Sequence, residues 1–166
     1  MRQPLPPPPL IAPTVEEWRA RNPDERERLL GQINDILSDP RSAMSEGRPH
    51  SLAKAQILDV LGLHFRSTGR AIYLAVDMAV LYPAQATFAP DILVVLDAVQ
   101  PANDSRLAWV VAGEGKGLDL VLEVIHHGDR KKDLEDNVKR YAGLGITEYF
   151  LFDLVRQELQ GHRLPH

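Results

Sequence analysis

The sequence predicts an α/β fold, a mixed β-sheet flanked by helices, with extra helices at the N-terminal side. Three observations carry this reading. Helical patterns with cap signals come first, before residue 70. Apolar runs of strand length then follow one another from residue 70 to 125, bounded by Gly, Pro and Asp. One amphipathic helix and an aromatic strand close the chain. A sheet must bury its faces, and helices placed before, between and after its strands do so.

The elements follow in order. "QPLPPPPLIAP" holds four consecutive prolines, which favour extended polyproline backbone and block a hydrogen-bond ladder. Residues 1–13 are therefore expected to form a flexible, proline-rich tail, disordered or draped over the surface, and 14–166 a single domain. "TVEEW" opens a short helix, with Thr14 as N-cap and Glu17 at the capping-box position. In "NPDERERLLGQINDILSD", Asn22 caps, Pro23 takes the first helical position, and Leu29, Leu30, Ile33, Ile36 and Leu37 make an apolar stripe ended at Pro40. "HSLAKAQILDVLGLHFRS" is a third helix, burying Ala53, Ile57, Leu58, Leu61 and Phe65 and ending at Gly69.

Next, "RAIYLAVDMAVLYP" reads as one long strand, with "APDILVVLDAV", "RLAWVVAG" and "LDLVLEVI" as three more. "GEGKG" lacks the spacing and the Ser or Thr of a phosphate loop, and is expected to be a hairpin turn. "DRKKDLEDNVKRYAGLG" is an amphipathic helix closed by Gly145. "TEYFLFDL" is a strand, and "QELQGHRL" a candidate last one.

Composition bounds the function. A length of 166 residues with 44% hydrophobic and 25% charged residues suits one globular domain. The absence of cysteine excludes disulfides and thiolate metal sites and fits a cytoplasmic protein. There is neither a membrane-length apolar run nor the apolar core of a signal peptide, so no membrane is expected. A net charge of -4 argues against a dedicated nucleic-acid coat, although Arg130, Lys131 and Lys132 form a local basic run.

Three successive strands each carry one acid in an otherwise apolar run: Asp77, Asp91 and Glu123. If neighbouring strands pair, these acids converge. Converging carboxylates repel one another and hold their protons more tightly, and a divalent cation reverses that. Magnesium takes hard oxygen ligands and leaves room for a substrate phosphate. The plainer reading is that strand-end acids cap turns or pair with a surface Arg. His126 and His127 adjoin the candidate site, but adjacent strand residues point to opposite faces.

"FAPDILVVLDAV", "WVVAGEGKGLDLVLEV" and "DRKKDLEDNVKRYAGLGITEYFLFD" together resemble the Uma-two (Uma2) family of restriction endonucleases, in the PD-(D/E)XK nuclease superfamily. The resemblance runs from about "EGRPH" to "GHRLP". It implies a restriction-endonuclease-like core and a metal-dependent endonuclease that hydrolyses DNA phosphodiester bonds with Mg2+ or Mn2+. It also implies DNA and a second copy of the chain, as a homodimer, for partners. On this resemblance the "PD" acid is Asp91 and the second acid Glu123. The Val124 carbonyl completes the metal shell, and Asp77 falls where an acid is common. Glu46 and His50 lie near the site, and Tyr141 matches the helix tyrosine.

The sequence departs from the pattern at the lysine. Ile125 stands two residues after Glu123, and Asn137 stands four after Asp133. Asp133, Asn137 and Tyr141 share one helix face. Lys131 or Lys132 is then the expected catalytic cation. The alternative is a nuclease-fold protein that has lost or weakened catalysis and serves binding or assembly.

Overall fold

A computed structural model describes residues 10–38, 47–125 and 130–164, the side chains of 130–133 excepted. Helices α1 (Val15–Ala20) and α2 (Pro23–Leu37) start at reciprocal capping boxes. The Thr14 hydroxyl accepts from Glu17 N–H while the Glu17 carboxylate accepts from Thr14 N–H, and Asn22 and Glu25 repeat the arrangement. Helix α3 (Arg48–Thr68) ends at Gly69, whose φ of 70° is the left-handed cap that lacks a Cβ penalty only in glycine.

A five-stranded mixed sheet follows, in the order β1-β3-β5-β6-β7. Its strands are β1 (Ile72–Val76), β3 (Ile92–Leu96), β5 (Leu120–Ile125), β6 (Glu148–Asp153) and β7 (Glu158–Arg163). In this sheet β5 and β6 pair in parallel, joined by the crossover helix α5 (Arg130–Gly143), and the other neighbours pair antiparallel. The last strand is therefore present, and α5 closes near Gly145 at φ 74°.

Two expectations about strands and turns are corrected. The run from residue 70 to 83 is not one strand. Asp77 adopts φ 50°, a left-handed conformation that breaks the pleat, and the chain leaves for a second sheet. There β2 (Ala79–Leu81) pairs in parallel with β4 (Ala108–Val110). Nor is "GEGKG" a hairpin turn. The chain after β4 makes one helical turn, α4 (Val111–Glu114), capped by Gly115 at φ 71°, and β5 then joins the other sheet. Gly117 admits close packing: a Cβ there would meet the Tyr82 hydroxyl at 2.6 Å.

Three apolar layers result. One face of the main sheet (Leu74, Ile92, Val94, Leu122, Val124) packs on α3 through Ala53, Ile57, Leu58 and Leu61. The opposite face (Tyr73, Leu93, Val95, Val121, Tyr149) packs on Tyr141 and Ile146. The small sheet rests on α1 and α2 through Trp18 and Ile33. Ile36, expected in the α2 stripe, is half exposed instead. Beyond the proline run, Ala12 is buried, and its N–H donates to the Gln85 carbonyl at 2.8 Å. Among the described residues, no helix is long and apolar enough to cross a membrane.

Candidate active site

Register builds the site. In β1, β3 and β5, Val76 lies opposite Ile92 and Ile92 opposite Leu122. The next residue along the row on each strand is an acid: Asp77, Asp91 and Glu123. Hydrogen bonds tie the row together. Asp77 N–H donates to the Asp91 carbonyl at 3.2 Å, and Asp91 N–H donates to Glu123 Oε2 at 3.2 Å. The three acids thus meet at the end of the sheet where β5 finishes.

Each carboxylate has its own setting. Asp91 is buried, and its Oδ2 accepts from Val124 N–H at 2.7 Å. Glu123 faces α5, where the Tyr141 hydroxyl donates to its Oε1 at 2.7 Å. Burial pushes the Glu123 carboxyl up to about 7, and the negative charge of Asp91 adds to that. The Tyr141 hydrogen bond opposes the rise. Burial and the Glu123 charge push the Tyr141 phenol well above its ordinary range, so it stays a donor at neutral pH.

Helix α3 supplies the other wall. His50 and Lys54 stand one turn apart on its inward face. His50 Nε2 lies 2.6 Å from the Val124 carbonyl and 3.4 Å from Asp91 Oδ2. A carbonyl only accepts, so Nε2 carries the proton in that contact. Lys54 Nζ donates to both oxygens of Asp77, at 2.8 and 2.9 Å, and stands 3.6 Å from Asp91 Oδ1. Among the described residues the buried polar or charged side chains are His50, Lys54, Asp91 and Asp153, and the first three meet here. Buried ionic groups persist where partners compensate their desolvation.

Sequence reasoning singled out Asp77, Asp91, Glu123, Val124, His50 and Tyr141, and these lie together. It missed Lys54. The signal was a lysine inside the apolar stripe of Ala53, Ile57, Leu58 and Leu61, where a hydrophobic residue belongs. Asn137 shares the α5 face with Tyr141, yet its Nδ2 donates to the Tyr149 hydroxyl at 3.3 Å rather than to an acid of the row. Lys131, Lys132 and Asp133 fall in the first turn of α5, and their side chains lie outside the described residues, as do Glu46, His126 and His127.

The donor set fits a hard divalent cation. Asp91, Glu123 and the Val124 carbonyl are oxygen donors. Two carboxylates with water in the remaining positions is the usual magnesium arrangement. Burial first, and the Asp91 charge after it, raise the Glu123 carboxyl, and that neighbouring charge also favours a cation. No group of three or more His, Cys, Asp or Glu side chains is arranged to hold a metal among the described residues. Waters and the backbone would therefore complete any shell.

Comparison with solved structures finds a similar fold in "a putative nuclease belonging to DUF820 from Anabaena variabilis ATCC 29413", at a TM-score of 0.56 and 16% identity. The match covers 75% of this chain and 66% of that one, so the chain spans just under two thirds of its length. No curated protein matches. The family described as "Putative restriction endonuclease", Uma2, matches residues 39–166, which take in the acid row, α3 and α5. The chain belongs to the Uma2 family.

Proposed function

We propose that the protein is a metal-dependent endonuclease that hydrolyses DNA phosphodiester bonds at the Asp91–Glu123 row. One observation carries this: two acids side by side on adjacent strands, Asp91 N–H donating to Glu123 Oε2, with the Glu123 carboxyl pushed up to about 7. Such a pair needs a proton or a cation. A divalent ion held there, Mg2+ or Mn2+, would supply a Lewis acid for a phosphoryl oxygen. The chain's own groups orient the site. Val124 N–H holds Asp91 Oδ2, Tyr141 holds Glu123 Oε1, and His50 fixes the Val124 carbonyl. In the reaction a water oxygen bonds to phosphorus, one P–O ester bond breaks, and the departing sugar oxygen takes a proton. Lys131 and Lys132, at the start of α5, are further cations for the DNA backbone. A homodimer facing a palindromic site belongs to the same proposal.

The test is nicking of supercoiled plasmid with magnesium and with manganese. Wild type is compared with Glu123→Ala and Asp91→Ala, prepared identically and checked for folding by circular dichroism. The expected result is loss of cleavage by about a hundredfold or more in both variants. Equal nicking by all three proteins would overturn the proposal. A second reading, a non-catalytic binding relative, is favoured by Asn137. It is neutral, and it donates to Tyr149 where the resemblance leads one to expect a lysine. That reading predicts no cleavage with either metal.

A further inference from the structure

We propose that Lys54, presented by α3 and aimed by Asp77, is the ammonium that meets the scissile phosphate; this rests on the nuclease reading above. The first support is burial. Lys54 is 5% exposed, although a lysine stem is long enough to carry its charge to water. On the same helix Leu52, Val60 and Leu63 face solvent. Helix α3 turns a lysine and a histidine inward beside Ala53, Ile57, Leu58 and Leu61, while Leu52 and Leu63 stay outside.

The second support is aim. Nζ sits between Asp77, at 2.8 Å, and Asp91, at 3.6 Å, so the positive charge lies along the same row as the candidate cation ligands. Asp77 reaches it from a left-handed residue at the break between β1 and β2, a backbone state that non-glycine residues seldom hold. The Asp77 side chain is 58% exposed and the Lys54 side chain 6%. Asp77 therefore stands at the mouth and Lys54 behind it. A phosphate entering at the row would meet an ammonium already desolvated and would take over donors that Asp77 holds at 2.8 and 2.9 Å. Such a group stabilises charge that develops on phosphoryl oxygens. This ammonium comes from α3, while Ile125 and Asn137 occupy the positions on β5 and α5 where the resemblance places a lysine.

The experiment measures binding of a labelled DNA duplex in calcium as a function of salt, beside cleavage in magnesium. It compares wild type, Lys54→Met and Lys54→Arg. One lost phosphate contact lowers the slope of log K against log salt by about 0.9. Lys54→Met is expected to lose that much slope and about a hundredfold in cleavage. Lys54→Arg is expected to keep the slope with part of the cleavage. A lysine that only neutralises its neighbours would shift the thermal midpoint and leave the slope unchanged, and that result overturns the proposal.

The wild-type protein gives an answer even if Lys54→Met fails to fold. With 15N-lysine label, the Lys54 ammonium signal, assigned by its absence in Lys54→Arg, is expected to shift when duplex and calcium are added; no shift overturns the role. Metal-dependent cleavage that needs Glu123 but shows neither effect at Lys54 removes only this inference. A wild type that neither binds nor cleaves DNA removes the nuclease reading with it.

Discussion

Between Asp91 and Tyr141, the Glu123 carboxyl holds its proton up to about pH 7 instead of its ordinary 4.5. The consequence for stability has a definite sign. In that window the folded chain binds more protons at Glu123 than the unfolded chain does, so stability falls as pH rises from about 4.5 to about 7. Without divalent cation, thermal midpoints of wild type are expected to drop across this range relative to Glu123→Gln. Parallel profiles would refute the assignment. Tyr141→Phe removes a donor that favours the ionised form, and is expected to move the wild-type drop to higher pH. At this scale the sequence was informative about acids, because a carboxylate in an apolar strand stands out. It did not show which partner each acid takes. Lys54 reaches the row because α3 docks on the sheet.

Whole elements were legible where local chemistry decides them. Thr14 and Asn22 cap their helices because a side-chain oxygen can reach an unpaired backbone N–H only three residues on. Asn22→Ala is expected to lower unfolding free energy by about 1 kcal/mol in urea titration, with the m-value unchanged. The β6–β7 pair makes a sharper prediction. A Cβ at Gly161 would meet Phe150 Cε1 at 2.6 Å, so Gly161→Ala forces the ring or the strand to shift, with a loss of about 1–3 kcal/mol in the same titration. The break at Asp77 was not legible. "YLAVDMAVL" has strand composition throughout, and nothing local announces a left-handed aspartate. That turn exists because β2 finds a parallel partner in β4, whose residues lie about 30 positions further along the chain.

Taken as a whole, the molecule places its acid row at the edge of a core that packs on both sheet faces, and core and surface should respond differently to truncation. Leu93 is fully buried, and Leu93→Ala is expected to lower stability by about 2–5 kcal/mol. Leu63 is largely exposed on α3, and Leu63→Ala should stay within about 0.5 kcal/mol. Binding of a divalent cation should raise the thermal midpoint more at pH 8 than at pH 5.5, because the cation competes with the Glu123 proton at the lower pH. An equal rise at both values would place the cation elsewhere.

By itself the sequence determined the helices and their caps, most strands, the apolar faces, the three acids and the resemblance to Uma2. These depend on periodicity and on residue types within a few positions. The tertiary structure decided what surrounds Glu123. Asp91 N–H reaches it from 32 residues away, and His50 meets the Val124 carbonyl across 74. Tyr141 meets it only because α5 crosses back over the sheet. Strand register and helix docking set such contacts, and both are fixed by the burial of the whole apolar surface rather than by any local stretch.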